Sequence, residues 1–112
     1  MSDAMRSAVL AASVVVAAAG LAASPPVAAA GRTHEVAIKA LAYLPQTLSV
    51  KRGDVVVWTN QDPFPHTVTA PGVFDSGSIA AGKSWRYKVK RAGTHPYVCT
   101  LHSTMKGTLQ VE

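Results

Sequence analysis

From residue 34 onward, apolar and polar side chains alternate with a period of two. Val36 and Ile38 alternate with Glu35, Ala37 and Lys39, and Leu48 and Val50 with Thr47, Ser49 and Lys51. Trp85, Tyr87 and Val89 alternate with Arg86, Lys88 and Lys90, while Tyr97 pairs in parity with Cys99 and Leu109 with Val111. Successive side chains of a strand point to opposite faces, so this alternation predicts strands with one face buried. The run Val55-Val56-Val57-Trp58 is continuously apolar and β-branched, which predicts a strand covered on both faces. Another strand is expected to start at His66. Turn signals punctuate the chain at Arg52-Gly53-Asp54, Pro71-Gly72, Asp75-Ser76-Gly77, Ala81-Gly82-Lys83 and Ala92-Gly93. No helical period appears after Gly31. Seven or eight short strands in so short a stretch predict an all-β fold, an antiparallel Greek-key β-sandwich.

The first thirty residues follow a different pattern. They hold 21 hydrophobic residues, 12 of them alanine. Arg6 precedes an apolar run from Ala8 to Ala23, Ser24-Pro25-Pro26 breaks it, and Val27-Ala28-Ala29-Ala30-Gly31 follows. A basic start, an apolar middle and small residues at an A-x-A site are the parts of a secretory signal. Residues 1–30 are therefore read as a signal peptide cleaved before Gly31, with 31–112 as the mature domain. A start at Met5 would remove Asp3 and leave a cleaner basic region. The alternative is an uncleaved anchor, but 16 helical residues reach only about 24 Å against a hydrocarbon core of ~30 Å. With a Gram-negative envelope, export means the periplasm, where a lone reduced thiol needs protection that a metal can give.

Charge and cysteine content narrow the function further. The formal charge is +5, and the mature domain carries all of it, with ten Lys and Arg against five acids. The densest basic stretch is Lys83 to Arg91, where Arg86, Lys88 and Lys90 share one strand face. No aromatic side chains interleave on that face, so nucleic acid is not expected as a partner. The face is either solvated or a docking surface for an acidic partner. The single cysteine excludes an internal disulfide framework, a Cys-pair zinc site and a cysteine-held iron–sulfur cluster. No Ser-His-Asp pattern, phosphate-binding loop or paired-carboxylate motif is present.

That cysteine heads the segment Tyr97-Val98-Cys99-Thr100-Leu101-His102-Ser103-Thr104-Met105, with the spacing C-x2-H-x2-M. A short loop can bring thiolate, imidazole and thioether to one point, and soft sulfur donors with imidazole select copper. His66, behind the stiff Pro63-Phe64-Pro65 turn, is the best candidate for a fourth ligand. Two imidazoles, one thiolate and a weak axial thioether define a blue-copper electron-transfer site. Such a set leaves no open position for a substrate, so no enzyme activity is expected.

These residues resemble the cupredoxin family, and within it the amicyanins, with plastocyanins and pseudoazurins as relatives. The resemblance rests on Leu48 through Asn60, Pro65-His66-Thr67-Val68, Phe74-Asp75-Ser76-Gly77, and Gly93 through Met105 with Gly107. It implies one type 1 copper ion held by His66, Cys99 and His102 in a plane with Met105 axial. It also implies that Asn60 ties the two ligand segments together near Thr100. The implied role is a monomeric single-electron shuttle. Its donor would be a periplasmic dehydrogenase such as methylamine dehydrogenase, and its acceptor a c-type cytochrome. Leu101 stands where the family commonly has proline, and its N–H is expected to donate to the Cys99 sulfur and raise the potential.

The other reading is a copper-binding or delivery module without redox turnover. A nitrite-reductase-type enzyme needs a second copper and a second domain. The exposed edge of His102 is expected within an apolar patch drawn from Phe64, Pro65, Leu101, Ser103 and Thr104. His34 is expected at the surface and His95 in the core or at its boundary, neither as a ligand. Trp58 and Trp85 are expected in the core, Pro96 at an edge or bulge, and Asp75 as a turn former.

Overall fold

A computed structural model describes residues 31–112; the signal sequence read at 1–30 lies outside them. The described chain forms nine strands: β1 Thr33–Lys39, β2 Ala42–Leu44, β3 Thr47–Val50, β4 Val55–Asn60, β5 Thr69–Ala70, β6 Phe74–Asp75, β7 Ser84–Lys88, β8 Gly93–Cys99 and β9 His102–Val111. They form a four-stranded sheet in the order β2-β1-β4-β7 and a five-stranded sheet in the order β3-β9-β8-β5-β6. The all-β, two-sheet architecture is the one the alternation predicts.

The pairing is mixed rather than purely antiparallel. β1 runs parallel to β4 and β3 parallel to β9, while the other pairs are antiparallel. The chain explains this. After β2 it crosses to the other sheet as β3 and then returns as β4, so β4 runs alongside β1 in the same direction. Parallel neighbours need such a crossover rather than a hairpin.

The two sheets meet over an aromatic core. Trp58 of β4 is fully buried and packs edge-on against Tyr97 of β8, with ring centroids 5.6 Å apart. The Trp58 indole N–H donates to the Tyr97 hydroxyl at 3.2 Å, so the large buried ring keeps its polar atom satisfied. Tyr43 of β2 lies edge-on to the same Tyr97 ring and donates its own hydroxyl to the Thr67 carbonyl. Burial pushes both phenols above the ordinary tyrosine range, Tyr97 to about 12. Both therefore stay neutral donors and acceptors at any physiological pH. Trp85 is only half-buried and stacks on Tyr87 along the inner face of β7.

Two expectations about faces need correction. Val55 and Val57 are not covered like Val56 and Trp58; they are half-buried on the outer face of β4. Their cross-strand neighbours there are Thr33 and Lys88 for Val55, and Glu35 and Arg86 for Val57. Long polar side chains shield these valines in place of a second sheet. His66 does not start a strand. It forms an isolated bridge to Ile79, and the ladder begins only at Thr69. Between them the Ser76 hydroxyl accepts the Val68 N–H at 2.7 Å, a side chain standing where a strand partner would be.

Pro96 sits inside β8, where β5 is too short to reach; β5 pairs with β8 only at Val98. Its missing N–H therefore costs no ladder bond on that side. The β8–β9 register shifts between Val98 and Cys99, which pair with Lys106 and His102, so three residues of β9 stand without a β8 partner beside the turn.

Candidate metal centre

β8 and β9 are joined by only Thr100 and Leu101, with Cys99 opposite His102 across the turn. His102 and Met105 therefore both lie within β9, with Ser103 to Met105 falling in the register shift between the Val98–Lys106 and Cys99–His102 pairs. Met105 faces the core with Gly107, Leu109 and Val111, and is 1% exposed. His102 is half-buried.

His66, Cys99 and His102 come together. The Cys99 Sγ is 3.7 Å from the His66 Nδ1 and 3.6 Å from the His102 Nδ1. The three donor atoms lie within 4.8 Å of one another. These separations suit a shared ion better than hydrogen bonds. Metal–nitrogen and metal–sulfur bonds of about 2.0 and 2.3 Å, meeting near 120°, set such donors about 3.7 Å apart. One thiol and two imidazoles form a soft-to-borderline set, the chemistry that suits copper.

Each donor is held by its own local structure. His66 is fully buried; its N–H and C=O both bond to Ile79, at 3.1 and 2.7 Å. Its Nε2 lies 2.8 Å from the Asp62 Oδ2. A carboxylate only accepts, so Nε2 carries the proton and the Nδ1 lone pair faces the cysteine. Asp62 also accepts the N–H groups of Ala40 and Leu41, at 2.7 and 3.0 Å. Burial alone would raise the Asp62 carboxyl; the Leu41 N–H, the His66 ring and the Ala40 N–H outweigh it and hold it below the usual carboxylate range. Ala40 and Leu41 both adopt positive φ, 52° and 60°, which points their N–H groups at that carboxylate.

The Cys99 sulfur receives the Thr67 N–H at 3.3 Å. The backbone donor to the sulfur is thus the Thr67 N–H, on the segment that carries His66, and not the Leu101 N–H that the sequence suggests. The expectation for Asn60 also fails. Its amide donates to the carbonyls of Phe64 and Ile79, at 2.8 and 2.9 Å, and accepts the Asp62 N–H at 2.9 Å. Asn60 thus shapes the loop that carries His66. The link to Thr100 belongs to Thr67, whose hydroxyl accepts the Thr100 N–H at 2.9 Å.

The surroundings divide into a dry interior and an apolar surface. The Phe64 ring packs against both imidazoles, at centroid distances of 5.2 Å to His66 and 5.6 Å to His102. Phe64 and Leu101 are exposed beside them, together with Pro63 and Pro65. The remaining histidines lie elsewhere. His34 bonds the Asp54 carboxylate at 2.8 Å beside the start of β4, and His95 bonds the Arg91 carbonyl at 3.0 Å. Two residues of the site went unread in the sequence, Asp62 and Thr67. Asp62 precedes His66 by four positions and Thr67 follows it directly, but neither spacing is a signal without knowing that the loop folds back.

A family model described as a Cupredoxin-like domain matches residues 9–111. The chain belongs to that family. Amicyanin-alpha of Methylorubrum extorquens is 34% identical over 116 residues, covering 97% of each protein. A plastocyanin of Scenedesmus fuscus is 32% identical over 91 residues, covering 65% of this chain and 89% of that protein. Among solved structures, a Cu(I) amicyanin variant superposes with a TM-score of 0.67 at 30% identity, covering 71% of this cupredoxin-like chain and 82% of that one.

Proposed function

We propose that the protein is a type 1 copper electron carrier. His66, Cys99 and His102 would hold the ion, with Met105 as the fourth donor. One observation carries the reading: a buried thiol and two imidazole Nδ1 atoms converge at ion-binding separations beneath an exposed apolar surface. The amicyanin and plastocyanin relatives support it.

Copper held there supplies a one-electron Cu(I)/Cu(II) couple. The chain does the rest. The two-residue turn and the β8–β9 ladder fix Cys99 and His102 relative to each other. Asp62 fixes the tautomer and plane of His66, as carboxylate–histidine pairs do at metal sites. The Thr67 N–H stabilises negative charge on the sulfur. Phe64 and the sandwich core exclude water from the donors. A ligand set held this stiffly rearranges little between oxidation states. His102 is half-buried beside exposed Leu101 and Phe64, so its ring edge is the route by which an electron leaves or enters. Burial of His66 and Cys99 favours retention of the ion over delivery to another protein.

In this reading residues 1–30 are a secretory signal and the carrier works in the periplasm. Its donor is a dehydrogenase, with methylamine dehydrogenase the candidate that amicyanin likeness suggests, and its acceptor is a c-type cytochrome. Voltammetry tests the redox part. A reversible one-electron wave is expected from the copper-loaded protein and none from Cys99→Ser. A copper-loaded protein that releases its ion during cycling would contradict it.

A further inference from the structure

Asp75 looks like a turn former, and in part it is one: its Oδ1 accepts the Gly77 N–H at 3.0 Å. The same oxygen also accepts the Thr69 hydroxyl at 3.0 Å. Beyond Thr69 the hydroxyls continue inward. Thr69 Oγ1 lies 3.0 Å from Thr67 Oγ1, and Thr67 Oγ1 lies 3.3 Å from Thr100 Oγ1 and 2.9 Å from the Thr100 N.

The direction of this chain follows from proton counting. A carboxylate can only accept, so the Thr69 proton goes to Asp75. Thr69 Oγ1 is then the acceptor for the Thr67 proton. With its one proton spent, Thr67 Oγ1 is left as an acceptor, which is what the Thr100 N–H requires. Thr67 and Thr69 are 5% and 9% exposed, so water competes weakly along the middle of the chain. Hydrogen bonds in such a series polarise one another. Thr100 is the residue between Cys99 and Leu101, and its N–H has no strand partner in the turn.

We propose that Asp75 is a remote positioning residue of the metal-ligand turn, orienting the Thr69 and Thr67 hydroxyls so that Thr67 holds the Thr100 N–H. This rests on the copper reading for its functional meaning, though not for its geometry. The role of the device is to fix the peptide that follows the cysteine ligand, through a charge two strands away in the sheet.

The test uses Thr69→Val, which breaks the chain and leaves the Asp75–Gly77 turn intact, with Thr69→Ser as the variant that keeps the hydroxyl. Amide exchange of Thr100 is read by NMR in the metal-free protein, and the visible absorption and EPR hyperfine splitting are read after Cu(II) loading. Thr69→Val is expected to speed Thr100 exchange roughly tenfold, the scale of one hydrogen bond. It is also expected to shift the copper spectra, while Thr69→Ser matches the wild type in both. Asp75→Ala should produce the same change, and the double variant Asp75→Ala/Thr69→Val no more than either alone. Unchanged Thr100 exchange in Thr69→Val, or additive effects in the double variant, would overturn the proposal. A wild type without a blue band would overturn the copper reading instead, and the exchange result would still decide the hydrogen-bond chain.

Discussion

Three N–H donors converge on the Asp62 carboxylate, which has two oxygens: those of Ala40, Leu41 and the His66 ring. An amide at this position offers only one acceptor atom, and its NH2 would face at least one of those donors. Asp62→Asn should therefore disturb His66 without changing side-chain volume. The expected result is a copper affinity 10- to 100-fold lower, on the order seen when partners of metal-bound histidines are lost. Competition with a chelator of known affinity measures it; an affinity equal to wild type would mean that His66 needs no anchor. The sequence shows the proposed ligands and hides this support. Cys99, His102 and Met105 are legible because their spacing is local. Asp62, Thr67 and the Thr69–Asp75 pair act across loops, so their roles depend on a fold that spacing alone does not give. Asn60 illustrates the reverse error, a residue correctly singled out whose bonds run to Phe64 and Ile79 and not to the ligand turn.

At the scale of elements, period-two alternation marked β1, β3, β7, β8 and β9 well. It missed β2 and β6, which at two or three residues are too short to show a period, and it started β5 at His66 where the ladder begins at Thr69. It also misjudged the faces of β4, because a run of valines reads the same whether a sheet or the stems of Arg86 and Lys88 cover it. Two elements offer tests. Gly107 pairs with Tyr97 across β8 and β9, and a Cβ there would run into the Tyr97 ring. That ring also carries the bond from Trp58, so it has little freedom to move. Gly107→Ala should destabilise the fold by about 1–3 kcal/mol, read as a lower denaturation midpoint at unchanged slope.

The other test is the junction of β1 and β4. The Asp54 carboxylate accepts the Arg32 N–H, the His34 ring and the Lys51 N–H, which hold its pKa down to about 2. A carboxyl whose pKa is lower folded than unfolded adds stability above its unfolded value of about 4, and that stability is lost as pH falls toward 2. Asp54→Asn should be less stable than wild type at pH 7 and should show a flatter loss between pH 4 and pH 2. Parallel curves for the two proteins would show that Asp54 is not the group responsible.

Across the whole molecule, β4 runs from the Asp54 junction at one end to Asn60 and the metal centre at the other. Its six residues span about 20 Å. Stability at one end and chemistry at the other are thus built on the same strand. The surface is divided too: an apolar pole of Phe64, Pro65 and Leu101 surrounds His102, and the outer face of β7 presents Arg86 and Lys88. With a formal charge of +5, association with an acidic redox partner should weaken as salt rises. The electron-transfer role depends on one claim, that His66, Cys99 and His102 with Met105 bind copper as a type 1 site. The direct measurement is titration of Cu(II) into the metal-free protein, followed by visible absorption and EPR. The account predicts an intense thiolate-to-copper band at about 600 nm that saturates at one equivalent and is absent in Cys99→Ser. Saturation at one equivalent with no such band, or a band that survives in Cys99→Ser, would contradict it.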